Sequence, residues 1–214
     1  MKIIRFLDEQ GESHYGAQHN DDSVTRIEGC IFSDYTDTGE AATVTKQLAP
    51  VKPATVLCIG LNYRKHAEEG GADIPEHPVL FMKMPSAVQN PGDPILLPTK
   101  LKSESVDYEC ELAVVIGKDC KNVSKENALD YVLGYTCGHD VSARHWQLKR
   151  GGGQWIRGKG FDTFCPLGPV LVTSDEIPDP QTLSIKTILN SQTMQDHTTG
   201  DMIFSVAQLI SFLS

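Results

Sequence analysis

The chain has 214 residues, 40% hydrophobic and 22% charged, the balance of a compact globular protein and not of a disordered one. Its 19 Lys plus Arg stand against 28 Asp plus Glu, a formal net charge of -9, which excludes nucleic acid as an expected partner. No apolar run approaches the roughly 18–20 residues of a membrane span, and "MKIIRFLDEQ" turns charged too early for a signal peptide; a soluble, non-secreted protein without a membrane partner is expected.

Residues 1–50 mix short β-like runs ("KIIRFL", "SVTRIEG") with Gly, Asn and Asp turn signals and read as a small β-rich N-terminal domain. "QLAPVKPA" (47–54) reads as a linker, and "TVLCIG" (55–60) as the buried strand that opens the main domain, residues 51–214. "LNYRKHAEEGG" predicts a short helix ended by Gly70 and Gly71, followed by a polar loop near 70–78 that is a candidate lid. "VLFMKM", "PILLP" and "DYECELAVVIGK" follow as strands, then a helix-like "SKENALDYV" and "LGYTCGHDVSARHWQLKR", with a helix expected from about Ser142. In "FSVAQLISFLS", Val206, Leu209, Ile210 and Leu213 recur at i, i+3, i+4, i+7, an amphipathic helix. Cys30, Cys58, Cys110, Cys120, Cys137 and Cys165 show no metal-binding spacing and read as reduced thiols of a cytosol-like compartment, the cytoplasm or an organelle matrix.

"GGGQWIRGKGFD" (151–162) comes within one residue of a phosphate-binding loop. Gly160 stands where a metal-ligating Ser or Thr is required, and no apolar strand leads into it, which argues against that chemistry for Lys159. Glu109 and Glu111 lie two apart in a strand and project from one face. Two neighbouring carboxylates at the mouth of an apolar strand repel each other unless a cation or shared proton relieves them. The alternative is a solvent-facing strand end. Asp140 either caps a helix or joins the glutamates in an all-oxygen site suited to Mg2+, Mn2+ or Ca2+.

"CIGLNYRKHAEE", "DYECELAVVIGK", "GYTCGHDVSARHWQ" and "RGKGFDTFCPLGP", in that order over residues 55–172, resemble the fumarylacetoacetate hydrolase family. The resemblance implies an α+β, mainly β fold, a mixed β-sandwich roll preceded by the small N-terminal β-rich domain. It implies Glu109, Glu111 and Asp140 as ligands of a catalytic Mg2+ or Mn2+, and His66 with Glu69 as a water-activating dyad. Arg144, Gln147 and Lys159 become substrate-binding groups, with Gln147 and Lys159 also stabilising the oxyanion. His14, His19, His77, His145 and His197 read as solvent-facing, and His139 as a neighbour of the ligands at most.

The implied substrates are small 2-oxo or 1,3-diketo acids, and the implied reaction is hydrolysis of a C–C bond in acylpyruvates or fumarylacetoacetate-like acids. Decarboxylation of oxaloacetate, keto–enol tautomerisation and isomerisation of dienoic acids are alternatives on the same site. A homodimer is implied as well. The family pattern continues past Ser214 into strands with a T-G-T-P-x-G-like turn, so the sequence reads as a truncation, and an inactive metal-binding fragment is a further alternative.

Overall fold

The computed structural model describes residues 1–214. Five strands form first: β1 (Lys2–Leu7), β2 (Ser13–Gln18), β3 (Val24–Gly29), β4 (Tyr35–Ala41) and β5 (Lys46–Leu48). Next come β6 (Val56–Gly60), helix α1 (Arg64–Glu69), β7 (Val79–Lys83), β8 (Val88–Gln89), β9 (Val106–Asp107) and β10 (Cys110–Ile116). A 3-10 helix at Lys125–Tyr131 leads to β11 (Val132–His139), β12 (Ser142–Ala143), a π-helical segment at His145–Arg150 and α2 (Ile156–Lys159). The chain ends with β13 (Cys165–Pro166), β14 (Leu171–Thr173), the hairpin β15 (Ser184–Leu189) and β16 (Gln192–Thr198), and α3 (Val206–Leu213). The expected α+β, mainly β architecture is present.

One eight-stranded sheet runs in the order β10-β11-β14-β1-β2-β3-β4, with β5 also paired to β1. Lys2 and Ile3 pair with β14 and Arg5 to Leu7 with β5, so the first strand joins the N-terminal meander to the strands that carry the site. Residues 49–51, expected as linker, are buried, with Ala49 0% and Val51 5% exposed. Val51 belongs to a core of Ile3, Ala17, Ile27, Ile31 and Leu171.

Strand β10 is covered on both faces. Leu112 and Val114 pack against the core of Val123, Ala128, Val132, Tyr135, Val206 and Ile210, while Ala113 and Val115 meet two other clusters.

Three expected elements differ. "TVLCIG" forms β6 in a two-stranded ribbon with β7 but is not a buried strand: none of its residues is fully buried and Leu57 is exposed. "PILLP" is a loop with Leu96 and Leu97 exposed, because Pro94 and Pro98 remove ladder donors at both ends of a three-residue run. The helix expected from Ser142 begins only at His145, because Ser142 and Ala143 pair with Asp107 and Val106. Asp140 therefore caps no helix.

Helix α3 presents its predicted apolar stripe, with Val206 and Ile210 buried. Its start is fixed by a capping box in which Ser205 Oγ accepts from Gln208 N at 3.3 Å and Gln208 Oε1 accepts from Ser205 N at 2.9 Å. Ser205→Ala should cost about 1 kcal/mol, a fall in Tm of roughly 2–4 °C for a domain of this size. A thermal melt monitored by circular dichroism checks this.

Candidate active site

Asp107, Glu109 and Glu111 alternate along the β9–β10 segment, and Asp140 and Ser142 alternate beside them. Asp140 N donates to Glu109 O at 2.9 Å, and Glu111 pairs with Gly138, so the two segments run side by side. Between the polar positions, Val141 and Ala143 turn the other way and pack on Phe164. The period of two thus puts carboxylates on one side and core on the other.

Three cations meet these carboxylates. Lys159, 2% exposed, reaches them from the end of α2. Its Nζ donates to Glu109 Oε2 at 2.5 Å, Asp140 Oδ2 at 2.7 Å and Ser142 Oγ at 2.8 Å, and it stands 4.9 Å from the Phe81 ring centroid. Gly158 makes this approach possible: a Cβ there would lie 2.4 Å from Gln147 N and 2.7 Å from Ala143 O. The glycines around Lys159 therefore serve close packing, and no phosphate cradle is formed.

Arg144 donates to Asp107 Oδ2 at 2.9 and 2.8 Å and to Glu109 Oε1 at 2.6 Å. Its Nη1 also donates to Gln147 Oε1 at 2.9 Å. Because guanidinium only donates, the Gln147 amide must turn its oxygen to Arg144. The amide nitrogen of this buried residue has no protein partner.

The third cation is Lys83, 1% exposed. Its Nζ donates to the carbonyls of Val141 at 3.0 Å, Lys159 at 2.6 Å and Phe164 at 2.8 Å, and sits 2.7 Å from Asp140 Oδ1. With all three N–H groups spent on carbonyls, it gives Asp140 Oδ1 charge but no hydrogen bond.

These neighbours split the carboxylates electrostatically. Burial raises Glu109, but the charges and hydrogen bonds of Lys159 and Arg144 outweigh it and hold the group at about 2. Burial also raises Asp140, and Lys83 and Lys159 offset this only in part. Glu111 is pushed up to about 8 by burial and then by the charges of Glu109 and Asp140. No ion pair or hydrogen bond reaches its carboxyl. Four carboxylates thus face three cations, and the group left over is an all-oxygen donor with no counter-charge, a set that fits a divalent cation.

Asp8, Glu12 and His14 are the one group whose possible ligand atoms lie within 4.8 Å of one another. Their arrangement is explained by a turn: Asp8 Oδ1 accepts from Gln10 N and Glu12 N, and Asp8 Oδ2 meets His14 Nε2 at 2.8 Å. No buried side-chain polar atom there lacks a partner. Around Lys159 the ligand atoms stand farther apart, with the ammonium between Glu109 and Asp140.

The carboxylates open into a cavity of about 440 Å³ that His66, Arg144, Gln147, Trp155, Lys159 and His197 help to line. The placement of α1 begins at Leu61, held at φ 52, in a conformation that costs a branched side chain about 1–3 kcal/mol. Asn62 locks the following turn by exchanging hydrogen bonds with Phe204 at 3.0 and 2.9 Å. His66 then faces the cavity. Glu69, at the exposed end of α1, is not on the cavity wall, and no hydrogen bond or ion pair joins it to His66. A second cavity of about 500 Å³ is apolar and meets the first at Tyr63, Glu111 and Asp140. His139 lines this apolar cavity with its Nε2 buried and unpartnered.

His14, His145 and His197, read as solvent-facing, are corrected by the structure: all three are half-buried, and His197 lines the polar cavity. Asp107 and Lys83 were not singled out by the sequence, although each carries a signal. Asp107 is in step with Glu109 and Glu111, and Lys83 falls at an inward position of "VLFMKM", two residues from Phe81.

The raised Glu111 group predicts a pH dependence. A folded pKa above the ordinary 4.5 contributes stability that is fully present below about 4.5 and lost as pH rises through about 8. In chelator, Tm should therefore fall between pH 5 and 8, and Glu111→Gln should flatten that slope. A variant with the wild-type slope would remove Glu111 as its source.

Residues 55–214 match the family model described as fumarylacetoacetate (FAA) hydrolase C-terminal, and residues 1–52 match the Rv2993c-like N-terminal model. A mitochondrial oxaloacetate tautomerase of Xenopus laevis is 48% identical over 168 residues, 78% of this chain and 52% of that protein. A protein of Archaeoglobus fulgidus is 51% identical over 172 residues, 80% of this chain and 66% of its own length. The chain spans about half the length of the curated eukaryotic relatives it matches. The solved 2-hydroxyhepta-2,4-diene-1,7-dioate isomerase of Mycobacterium marinum superposes with a TM-score of 0.85 at 35% identity, covering 100% of this chain and 81% of that one. A Mycobacterium abscessus structure gives 0.87 at 38%, with 100% and 82% covered. With residues 55–214 matching the family model and relatives at 48% and 51% identity over most of its length, the chain belongs to the fumarylacetoacetate hydrolase family.

Proposed function

We propose that the chain is a divalent-cation-dependent enzyme that interconverts the keto and enol forms of small 2-oxo dicarboxylic acids such as oxaloacetate. The observation that carries this reading is Lys159: a buried ammonium between Glu109 and Asp140, on the floor of a cavity whose wall also holds His66. The names of the relatives support it, since the tautomerase and the isomerase are both named for proton shifts in dicarboxylic acids.

In this reading Glu109, Glu111 and Asp140 would hold Mg2+ or Mn2+, with Ca2+ as the alternative, and the bound ion supplies Lewis-acid stabilisation of enolate charge. Arg144 and the free amide of Gln147 orient the substrate's 2-oxo acid end. His66 accepts the proton from C3 while the C–H electron pair becomes the C2–C3 double bond. The C2=O π pair moves onto its oxygen, which then takes that proton from His66. Such positioned proton transfer is worth about 10²–10⁴ in rate. A substrate oxygen reaches Lys159 only by replacing one of its three existing partners.

The second reading is hydrolytic C–C cleavage of an acylpyruvate or fumarylacetoacetate-like acid. It is favoured by the one-turn spacing of His66 and Glu69, but it requires Glu69 to come onto the imidazole. Both readings keep a homodimer: Leu57, Leu80 and Met82 stand 46%, 47% and 41% exposed on one face of the β6–β7 ribbon, an apolar face suited to a second copy.

Decay of enol-oxaloacetate absorbance should accelerate with Mg2+ or Mn2+ and stop with chelator. Lys159→Met should lower kcat/KM by about 10²–10³, the usual effect of losing one stabilising donor. Decay indifferent to the cation, or a fully active Lys159→Met, would sink the tautomerase. Acylpyruvate cleavage in its place would select the second reading.

A further inference from the structure

The β15–β16 hairpin overhangs the polar cavity. In its register Ile185 lies opposite His197 and Thr187 opposite Gln195, so these four side chains share one face. That face is turned inward, with Ile185, Gln195 and His197 on the cavity wall.

The hairpin is clamped to the carboxylate strand. Gln195 Oε1 accepts from Cys110 N at 2.9 Å and from Thr187 Oγ1 at 2.7 Å. Cys110 lies between Glu109 and Glu111, so the position of His197 is referenced to the two glutamates through one amide. With its oxygen used twice, Gln195 keeps an amide nitrogen that has no protein partner.

Next to His197 stands Tyr63, with ring centroids 6.5 Å apart and planes at 53°. The Tyr63 hydroxyl is buried and has no hydrogen-bond partner, a loss of about 1–3 kcal/mol that a ligand oxygen would recover. An imidazole, a free amide and an orphaned hydroxyl therefore belong to this side of the cavity, and none of them is spent on Glu109, Glu111 or Asp140.

We propose that His197, supported by the Gln195 amide and the Tyr63 hydroxyl, receives the second carboxylate of the substrate. The hairpin is then the element that selects dicarboxylic over monocarboxylic acids. The proposal rests on the 2-oxo acid reading above and adds to it the residue that decides acceptance.

The test uses the full chain loaded with Mg2+ and two stable 2-hydroxy acids that differ in the distal carboxylate, malate and lactate, titrated calorimetrically. Wild type should bind malate at least about tenfold more tightly, the effect of roughly 1.4 kcal/mol. His197→Ala should bring the ratio toward one, Tyr63→Phe should lower it, and His197→Gln, which keeps a donor, should retain part of it. A wild type without preference, or a His197→Ala variant that keeps the full ratio or loses both ligands equally, overturns the proposal. A His197-dependent ratio in a chain that fails the enol assay supports the carboxylate site and overturns only the tautomerase.

Discussion

The site depends on two ammonium groups placed where water is almost absent. Lys83 binds three carbonyls, those of Val141, Lys159 and Phe164, and lies against Asp140. One side chain thereby fixes the segment carrying Asp140, the end of the helix carrying Lys159 and the loop behind both. Lys159 returns the charge to Glu109 and Asp140. A buried pair of this kind stabilises little relative to an apolar substitute, but deleting one partner strands the other at a cost of about 3–5 kcal/mol. The array is therefore a positioning device first, and Lys83, which does not line the polar cavity, acts through the groups it holds.

The rest of the fold keeps these groups in register. Strand β11 ends at His139, immediately before Asp140, and pairs with β10 on one edge and β14 on the other. Strand β14 in turn pairs with the first strand of the chain. The N-terminal meander thus extends the sheet whose far edge bears Glu111. Gly60 adds a second constraint, since a Cβ there would lie 2.2 Å from the Trp155 ring, and Trp155 sits at the entry to α2. Strand β6 and the lysine helix approach each other closely because this position has no side chain.

Part of the candidate site could be read from local pattern, and the rest, His66, Arg144, Gln147 and Lys159, was implied only by the family resemblance. Glu109 and Glu111 are two apart, Asp140 to Lys159 span twenty residues, and strand alternation alone brings the glutamates onto one face. The helix of His66 was marked by its glycine stop at Gly70 and Gly71, and the stripe of α3 followed from periodicity. Asp107 was missed because its role depends on Arg144, 37 residues on, and Lys83 because a lysine in a strand normally reads as an edge residue until burial is known. His197 was misread for a related reason: in "QTMQDHTTG" every neighbour is polar, and only the clamp from Gln195 to Cys110, 85 residues away, turns that strand toward the cavity. The early start given to the helix at Ser142 failed because pairing with Asp107 overrode the local signal.

The division of labour across the cavity follows from how its donors are already used. On the carboxylate side every N–H of Lys159 is committed and Arg144 is shared among Asp107, Glu109 and Gln147. An incoming anion there meets strong competition and a surplus of negative charge, and any cation that draws off Glu109 and Asp140 also loosens their hold on Lys159. On the reading proposed above, such a wall would take the group common to all 2-oxo acids only once a cation offsets that surplus. Under that proposal, discrimination between acids would fall to the hairpin side, where His197, Gln195 and the Tyr63 hydroxyl have capacity to spare. A polar group that is unpaired until the right ligand arrives rejects the wrong one more strongly than an apolar wall could.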